Sequence, residues 1–90
     1  MAHDKSSSLP NETGLELMNK ILRMCWKKEC EMSEIFHDHF VSAIRLDYGD
    51  QVVRKHIHSM VQLGLLRKEG SAPKFKCTER GLAILGKQTI

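Results

Sequence analysis

Residues 50–66, DQVVRKHIHSMVQLGLL, decide the fold of this 90-residue chain. The segment carries one apolar stripe whose members recur at spacings of four, three and four: Val53, Ile57, Met60 and Gly64. This spacing is typical of an α-helix with one buried face. Gly64 stands where a helix commonly ends in a left-handed residue, and two leucines then restart an extended chain. The segment therefore predicts an amphipathic helix over about residues 50–63, a tight turn and a strand.

The remaining side chains of this helix point away from the apolar stripe, and most of them can donate hydrogen bonds. They are Gln51, Val52, Arg54, Lys55 and His58, with Gln62 near the end. A helix with one apolar face and one face of donors suits the groove of a nucleic-acid duplex. The alternative is an ordinary solvated helix surface, on which glutamine, histidine and cations are common.

The charge of the chain is divided unevenly between its halves. Residues 1–50 hold six Lys/Arg and nine Asp/Glu, whereas residues 51–90 hold eight Lys/Arg and two Asp/Glu. The balance therefore changes from −3 to +6 at the start of the amphipathic helix. Such asymmetry indicates a polyanionic partner. The alternative is a basic solvated face that keeps the protein in solution.

Composition argues against several classes of protein. Ninety residues bury only a modest core and are too few for a deep active site, and we find no nucleophile elbow, phosphate-binding loop or HExxH motif. We therefore expect neither catalysis nor a cofactor. The N-terminus has no apolar run, and no stretch reaches membrane-spanning length, so no membrane association is expected. The three cysteines lack a CxxC pair, which favours a reduced, cytoplasmic protein.

The rest of the chain predicts one domain of α+β class, mainly α with a small β-hairpin. Residues 1–12 are expected to form a disordered polar tail and residues 13–90 the domain. The predicted elements are a helix starting at Thr13, a helix over Ser33–Arg45 with Met32 pairing briefly in a sheet before it, the helix over 50–63, strands over Leu65–Glu69 and Lys74–Cys77, and a short helix over Glu79–Leu85 closed by Gly86. Thr13, Ser33, Asp50 and Thr78 are the expected caps of the four helices, with Asp47 as the alternative to Asp50.

The first helix carries more apolar residues than one stripe needs. Leu17, Met24 and Trp26 lie off the stripe that the other apolar residues form. This surplus, together with the apolar segment Leu82–Leu85 and Ile90, predicts a homodimer formed through the first and last helices. A wide core face within one chain is the alternative.

Three segments in this order resemble the winged helix-turn-helix superfamily. VVRKHIHSMVQLGLL is similar to the Val-x-x-His-Leu-x-x-Leu-x-x-x-Gly-Leu pattern of that family's third helix. RKEGSAPKFK, residues 67–76, resembles its basic hairpin wing, and CTERGLAIL resembles the Leu-Thr-x-x-Gly segment that follows the wing. Together the three segments and their flanking helices cover about residues 13–86. The chain looks most like small single-domain prokaryotic, archaeal or viral regulators.

The resemblance implies sequence-specific binding of double-stranded DNA by a transcriptional regulator. The third helix would enter the major groove, with Gln51, Val52, Arg54, Lys55 and His58 facing the duplex. Arg54 or Lys55 would read guanine and Gln51 adenine. The remaining implied contacts are to the DNA backbone, from the wing residues Lys68, Lys74 and Lys76 and from the backbone amides at Ser33.

Three other functions compete with DNA binding. The same fold also serves as a protein-interaction module without nucleic acid, and RNA is a polyanion that the same side chains can contact. A metal- or thiol-responsive regulator would use the Cys and His residues. However, His37 and His39, like His56 and His58, diverge by about 200° on a helix, and no cysteine spacing matches a zinc finger. We therefore expect no metal ligands, and we expect Cys25 and Cys77 to be small buried apolar residues.

Overall fold

The computed structural model describes residues 9–88, and the side chains of residues 9–85. Its elements are α1 (Asn11–Lys27), β1 (Cys30–Glu31), α2 (Met32–His37), α3 (His39–Tyr48), α4 (Asp50–Gln62), β2 (Leu66–Glu69), β3 (Lys74–Cys77) and α5 (Glu79–Gln88). The described chain is mainly helical with a small antiparallel sheet, which confirms the predicted α+β class. Residues 1–8 of the predicted tail lie outside the described residues, whereas Asn11 and Glu12 belong to α1.

The segment of residues 50–66 folds as its apolar spacing predicts. Val53, Ile57 and Met60 of α4 are at most 1% exposed and lie in the core. Gly64 has φ +81°, a left-handed conformation that allows the chain to turn directly into β2. The predicted cap was wrong, because Gly49 occupies the N-cap position and Asp50 is the first residue of α4. The Asp50 carboxylate accepts a hydrogen bond from Arg45 instead.

The predicted second helix is divided in two by Asp38. Its backbone has ψ 140°, which ends α2, and its carboxylate accepts hydrogen bonds from the amides of Phe40 and Val41, which begins α3. The expected start at Ser33 was also wrong. Glu31 is the N-cap of α2, and the Glu34 side chain accepts in return from the Glu31 amide at 2.8 Å.

A third strand joins the predicted hairpin. The sheet has the order β1-β3-β2, with Cys30 opposite Phe75 and Glu31 opposite Lys74. Met32, which was expected to pair in a sheet, already belongs to α2. A strand of two residues has no periodicity in sequence, so its position is set by the β3 edge that it covers. The two hairpin strands lie within a residue of their predicted bounds.

The last helix is attached to the turn between α4 and β2 by Thr78. The Thr78 hydroxyl lies 2.6 Å from the carbonyl oxygen of Gly64, to which it donates, and accepts from the Gly81 amide at 3.1 Å. Thr78 thus caps α5, as predicted.

The predicted end at Gly86 was wrong, since α5 continues to Gln88. Likewise α1 begins at Asn11, with Pro10 rather than Thr13 at the cap position.

The first and last helices pack against each other within the chain. Leu17, which the sequence placed off the core stripe, is fully buried, and Leu85 is 7% exposed. A wide core face therefore accounts for Leu17, whereas Trp26 remains 44% exposed. Among the described residues, none of the helices has the length and apolar character needed to cross a membrane.

Candidate nucleic-acid interface

The polar side chains of α4 form one continuous exposed stripe. Its members are Gln51, Arg54, Lys55, His58, Ser59 and Gln62. At about 100° of rotation per residue, they span an arc of about 140° opposite the core. Every one of them except Ser59 was identified from the sequence as pointing away from the apolar stripe.

Val52 is not part of this stripe. It is 4% exposed, and on the helix it lies about 160° from Arg54. The sequence prediction that Val52 faces a duplex is therefore wrong. The physical reason is that α4 packs against α1 and β2 as well as α3, so its buried arc is wider than a single stripe. His56 lies on the same side, with Nδ1 2.8 Å from the Val52 carbonyl oxygen.

A groove of about 370 Å³ separates α4 from the β2–β3 hairpin. Arg54 and His58 line it from α4, and Lys68 lines it from β2. Its other lining residues are mainly apolar: Met32, Ile57, Val61, Gln62, Pro73 and Phe75. Lys68 reaches the groove because it is opposite Phe75 in the ladder, and directly opposed residues project from the same face of a sheet. One cation of the hairpin thus faces the polar stripe of α4 across the groove.

The other two predicted wing lysines occupy the opposite face of the sheet. Lys74 and Lys76 alternate with the buried Phe75 and Cys77, so they project outward. Lys74 is opposite Glu69 on one side and Glu31 on the other. The three lysines therefore do not form one surface. Acidic neighbours also offset the charge of Lys74, which leaves Lys68 as the hairpin lysine best placed beside α4.

Several basic side chains of the described chain are already paired with carboxylates. These ion pairs are Lys20–Asp38 at 3.6 Å, Lys28–Glu34 at 2.9 Å, Arg45–Asp50 at 2.9 Å and Arg67–Glu69 at 2.6 Å. Arg54, Lys55 and Lys68 form no ion pair with any side chain of residues 9–85. These three cations are thus available to an external anion without breaking an internal pair.

Ser33 does not provide an anion site at a helix start. It is the second residue of the six-residue α2, and the N-cap position is held by the Glu31 carboxylate. That carboxylate accepts from a first-turn amide, so it occupies the place a phosphate would take. The Glu34 side chain adds a second negative charge. Its pKa is held below the ordinary value by the hydrogen bond from the Glu31 amide and by Lys28.

The three cysteines are buried, as expected for Cys25 and Cys77, and Cys30 joins them. Burial raises the pKa of all three thiols, most strongly that of Cys25, so they are protonated at neutral pH. Within the described residues, no group of three or more His, Cys, Asp or Glu side chains is arranged to hold a metal ion.

We expect these thiols to be slow to react in the native state. With an aromatic disulfide reagent at pH 7, the rate should be at least about 100-fold lower than in urea, because the nucleophile is the exposed thiolate. The measurement is the absorbance of the released thiolate over time. Rapid native reaction of one thiol would instead favour a thiol-responsive protein.

Comparison with known proteins gives no match, whether with protein-family models, with curated proteins or with solved structures.

Proposed function

We propose that this chain is a winged helix-turn-helix protein that binds double-stranded DNA. In this proposal α3 and α4 form the helix-turn-helix, with Gly49 at the turn, and the β2–β3 hairpin is the wing. The observation that most supports the proposal is the exposed stripe of α4, whose cations form no ion pair with the described residues. Arg54 of this stripe and Lys68 of the hairpin line the same groove. A polyanion laid along α4 meets positive charge from two separate elements.

The width of the exposed stripe suits a duplex. The major groove of B-DNA is about 12 Å wide and admits an α-helix. Gln51 and Lys55 lie near the centre of the exposed arc, so they would face the base edges. Glutamine pairs with adenine and lysine with the acceptors of guanine, which gives these two residues the sequence-reading role. Lys68 would bind phosphate and add affinity without sequence information.

A two-fold dimer would extend the site to two half-sites. The candidate dimer surface is the side of α1 that carries Leu15 and Trp26, each 44% exposed. They are eleven residues apart, which places them within about 20° of each other on the helix. Exposed large apolar side chains aligned in this way favour contact with a second apolar surface. Transcriptional regulation follows from this proposal as the expected role of a small dimeric DNA reader.

The proposal is tested by titrating the protein into a fluorescent duplex of mixed sequence, about 24 base pairs long, over a salt series. We expect a Kd on the order of micromolar at about 0.1 M salt and a log–log salt slope of roughly −3 to −5, because a few phosphates are neutralised. An RNA duplex of the same sequence is the matched control. No binding at about 20 mM salt would contradict the proposal, and equal binding of RNA would remove the preference for DNA.

A further inference from the structure

Two arginine side chains lie on the same aromatic ring. The guanidinium carbon of Arg45 is 4.4 Å from the centroid of Phe36, and that of Arg54 is 5.0 Å from it. Phe36 is 8% exposed, so the core fixes the ring. A guanidinium within about 6 Å of a ring centroid is attracted by the electrons of the ring face. Phe36 therefore limits the positions that both arginines adopt.

Only one of the two arginines also forms hydrogen bonds within the described residues. Arg45 donates to both carboxylate oxygens of Asp50, at 2.9 and 3.4 Å, and to the Phe36 carbonyl oxygen at 3.3 Å. Hydrogen bonding with Arg45 lowers the pKa of Asp50, so this carboxylate stays ionised at neutral pH. Arg54 forms no hydrogen bond or ion pair with the described residues. Its planar donors are held in place and remain free.

Arg54 lies on the hairpin side of α4 rather than at the centre of the exposed stripe, and its guanidinium contacts the Phe36 ring there. Arg54 is about 60° from Gln51 and about 100° from Lys55 around the helix. It lines the groove between α4 and the hairpin, together with Lys68. If Gln51 and Lys55 meet the base edges, this groove lies beside the bases, where the sugar-phosphate strand runs.

We infer that Phe36 is a positioning residue, which holds Arg54 so that Arg54 and Lys68 bind one DNA phosphate from the two sides of the groove. The inference rests on the proposed function and deepens it. It also replaces the guanine-reading role that sequence reasoning allowed for Arg54. A guanidinium presents parallel N–H donors that match two oxygens of a phosphate, and Lys68 supplies a second charge from the facing strand.

The test is a comparison of four proteins on the same mixed-sequence duplex: unmodified, Arg54→Ala, Phe36→Leu and Phe36→Tyr. Arg54→Ala should weaken binding about tenfold at moderate salt and reduce the salt slope by about 1. Phe36→Leu should weaken binding about two- to fivefold, because the ring face is lost. Phe36→Tyr keeps that face and should bind like the unmodified protein.

A double-mutant cycle separates positioning from a general structural effect. In the Arg54→Ala background, Phe36→Leu should weaken binding no further, since the residue that it positions is gone. Selection from random duplexes should return the same motif for Arg54→Ala as for the unmodified protein. Lys55→Ala, in contrast, should change the preferred base at one position. Additive effects of the two substitutions, or a changed motif for Arg54→Ala, would overturn the inference while leaving DNA binding in place.

A second measurement does not depend on the folding of the variants. In the unmodified protein, the Nε–Hε group of Arg54 should show a positive heteronuclear NOE, because the ring restrains it. The value should lie somewhat below that of Arg45, which is also held by its hydrogen bonds to Asp50 and to the Phe36 carbonyl oxygen. Free rotation of Arg54 alone would overturn the positioning role of Phe36. Absence of duplex binding by the unmodified protein would instead overturn the proposed function, and the phosphate site with it.

Discussion

Replacement of Gly81 by alanine is expected to lower the free energy of unfolding by about 3 kcal/mol. A Cβ at this position in α5 would lie within 3.0 Å of three atoms: the carbonyl oxygen of Leu65, Sγ of Cys77 and Cδ2 of Leu22. The Leu65 oxygen cannot move freely, because it accepts a hydrogen bond from the Thr78 amide, and the Thr78 hydroxyl, which donates to the Gly64 oxygen, lies 3.1 Å from it. Relief of the overlap would therefore require α5 to shift away from its own cap.

Gly14→Ala is the matched control for this substitution. Gly14 also lies inside a helix, but the nearest atom to an added Cβ would be Nε2 of His56 at 3.5 Å, an ordinary contact. Because alanine is the better helix former, we expect this variant to be stabilised by about 0.5–1 kcal/mol. Urea unfolding, followed by circular dichroism, measures both differences. Similar stability of the two variants would show that α5 does not pack as closely as described.

Gly81 illustrates what the sequence did and did not predict. The segment CTERGLAIL correctly indicated a capped helix, since a threonine at the cap is recognised from its own neighbours. It did not indicate why a glycine follows three residues later. That reason is the approach of the Leu65 carbonyl, which comes from a distant part of the chain. Local signals therefore predicted the helix, and only the packing accounts for the glycine.

The same distinction applies to the secondary structure as a whole. Helix α4 and the hairpin were predicted because their periodicity and turn residues are local. The sheet pairing expected at Met32 lies at Cys30–Glu31 instead, because two residues carry no pattern. Asp38 was missed as a helix boundary because it lies inside a helical apolar pattern. The position of β1 depends on the edge of β3 with which it pairs, and the helix boundary at Asp38 depends on the Phe40 and Val41 amides that its carboxylate binds.

The sequence predicted most of the residues of the candidate site, but not how they are arranged in space. The exposed residues of α4 were correct apart from Val52, whose burial follows from the number of elements packed on the helix. The resemblance implies backbone contacts for Lys68, Lys74 and Lys76 alike, without separating the two faces of the hairpin. Strand alternation alone places Lys74 and Lys76 on one face. The position of Lys68 on the other face depends on its register with Phe75, which sequence does not give.

Reversing two charges on α4 should have the largest effect on binding. For the double substitution Arg54→Glu, Lys55→Glu, we expect an affinity for a mixed-sequence duplex at least about 1,000-fold lower at 0.1 M salt. Two phosphate- or base-facing cations are lost, and two carboxylates are placed where the polyanion would lie. Both side chains are exposed, so the fold should persist, which thermal unfolding would check.

The matched control is Arg23→Glu, Lys27→Glu on α1, which changes the net charge from +3 to −1, the same as the α4 pair. Both α1 residues are exposed and neither lines the groove between α4 and the hairpin. We expect the control to weaken binding less than about fivefold, because distant charges are screened over about 10 Å. Equal losses for the two pairs would mean that net charge alone attracts the duplex, and α4 would then have no special role as its binding surface.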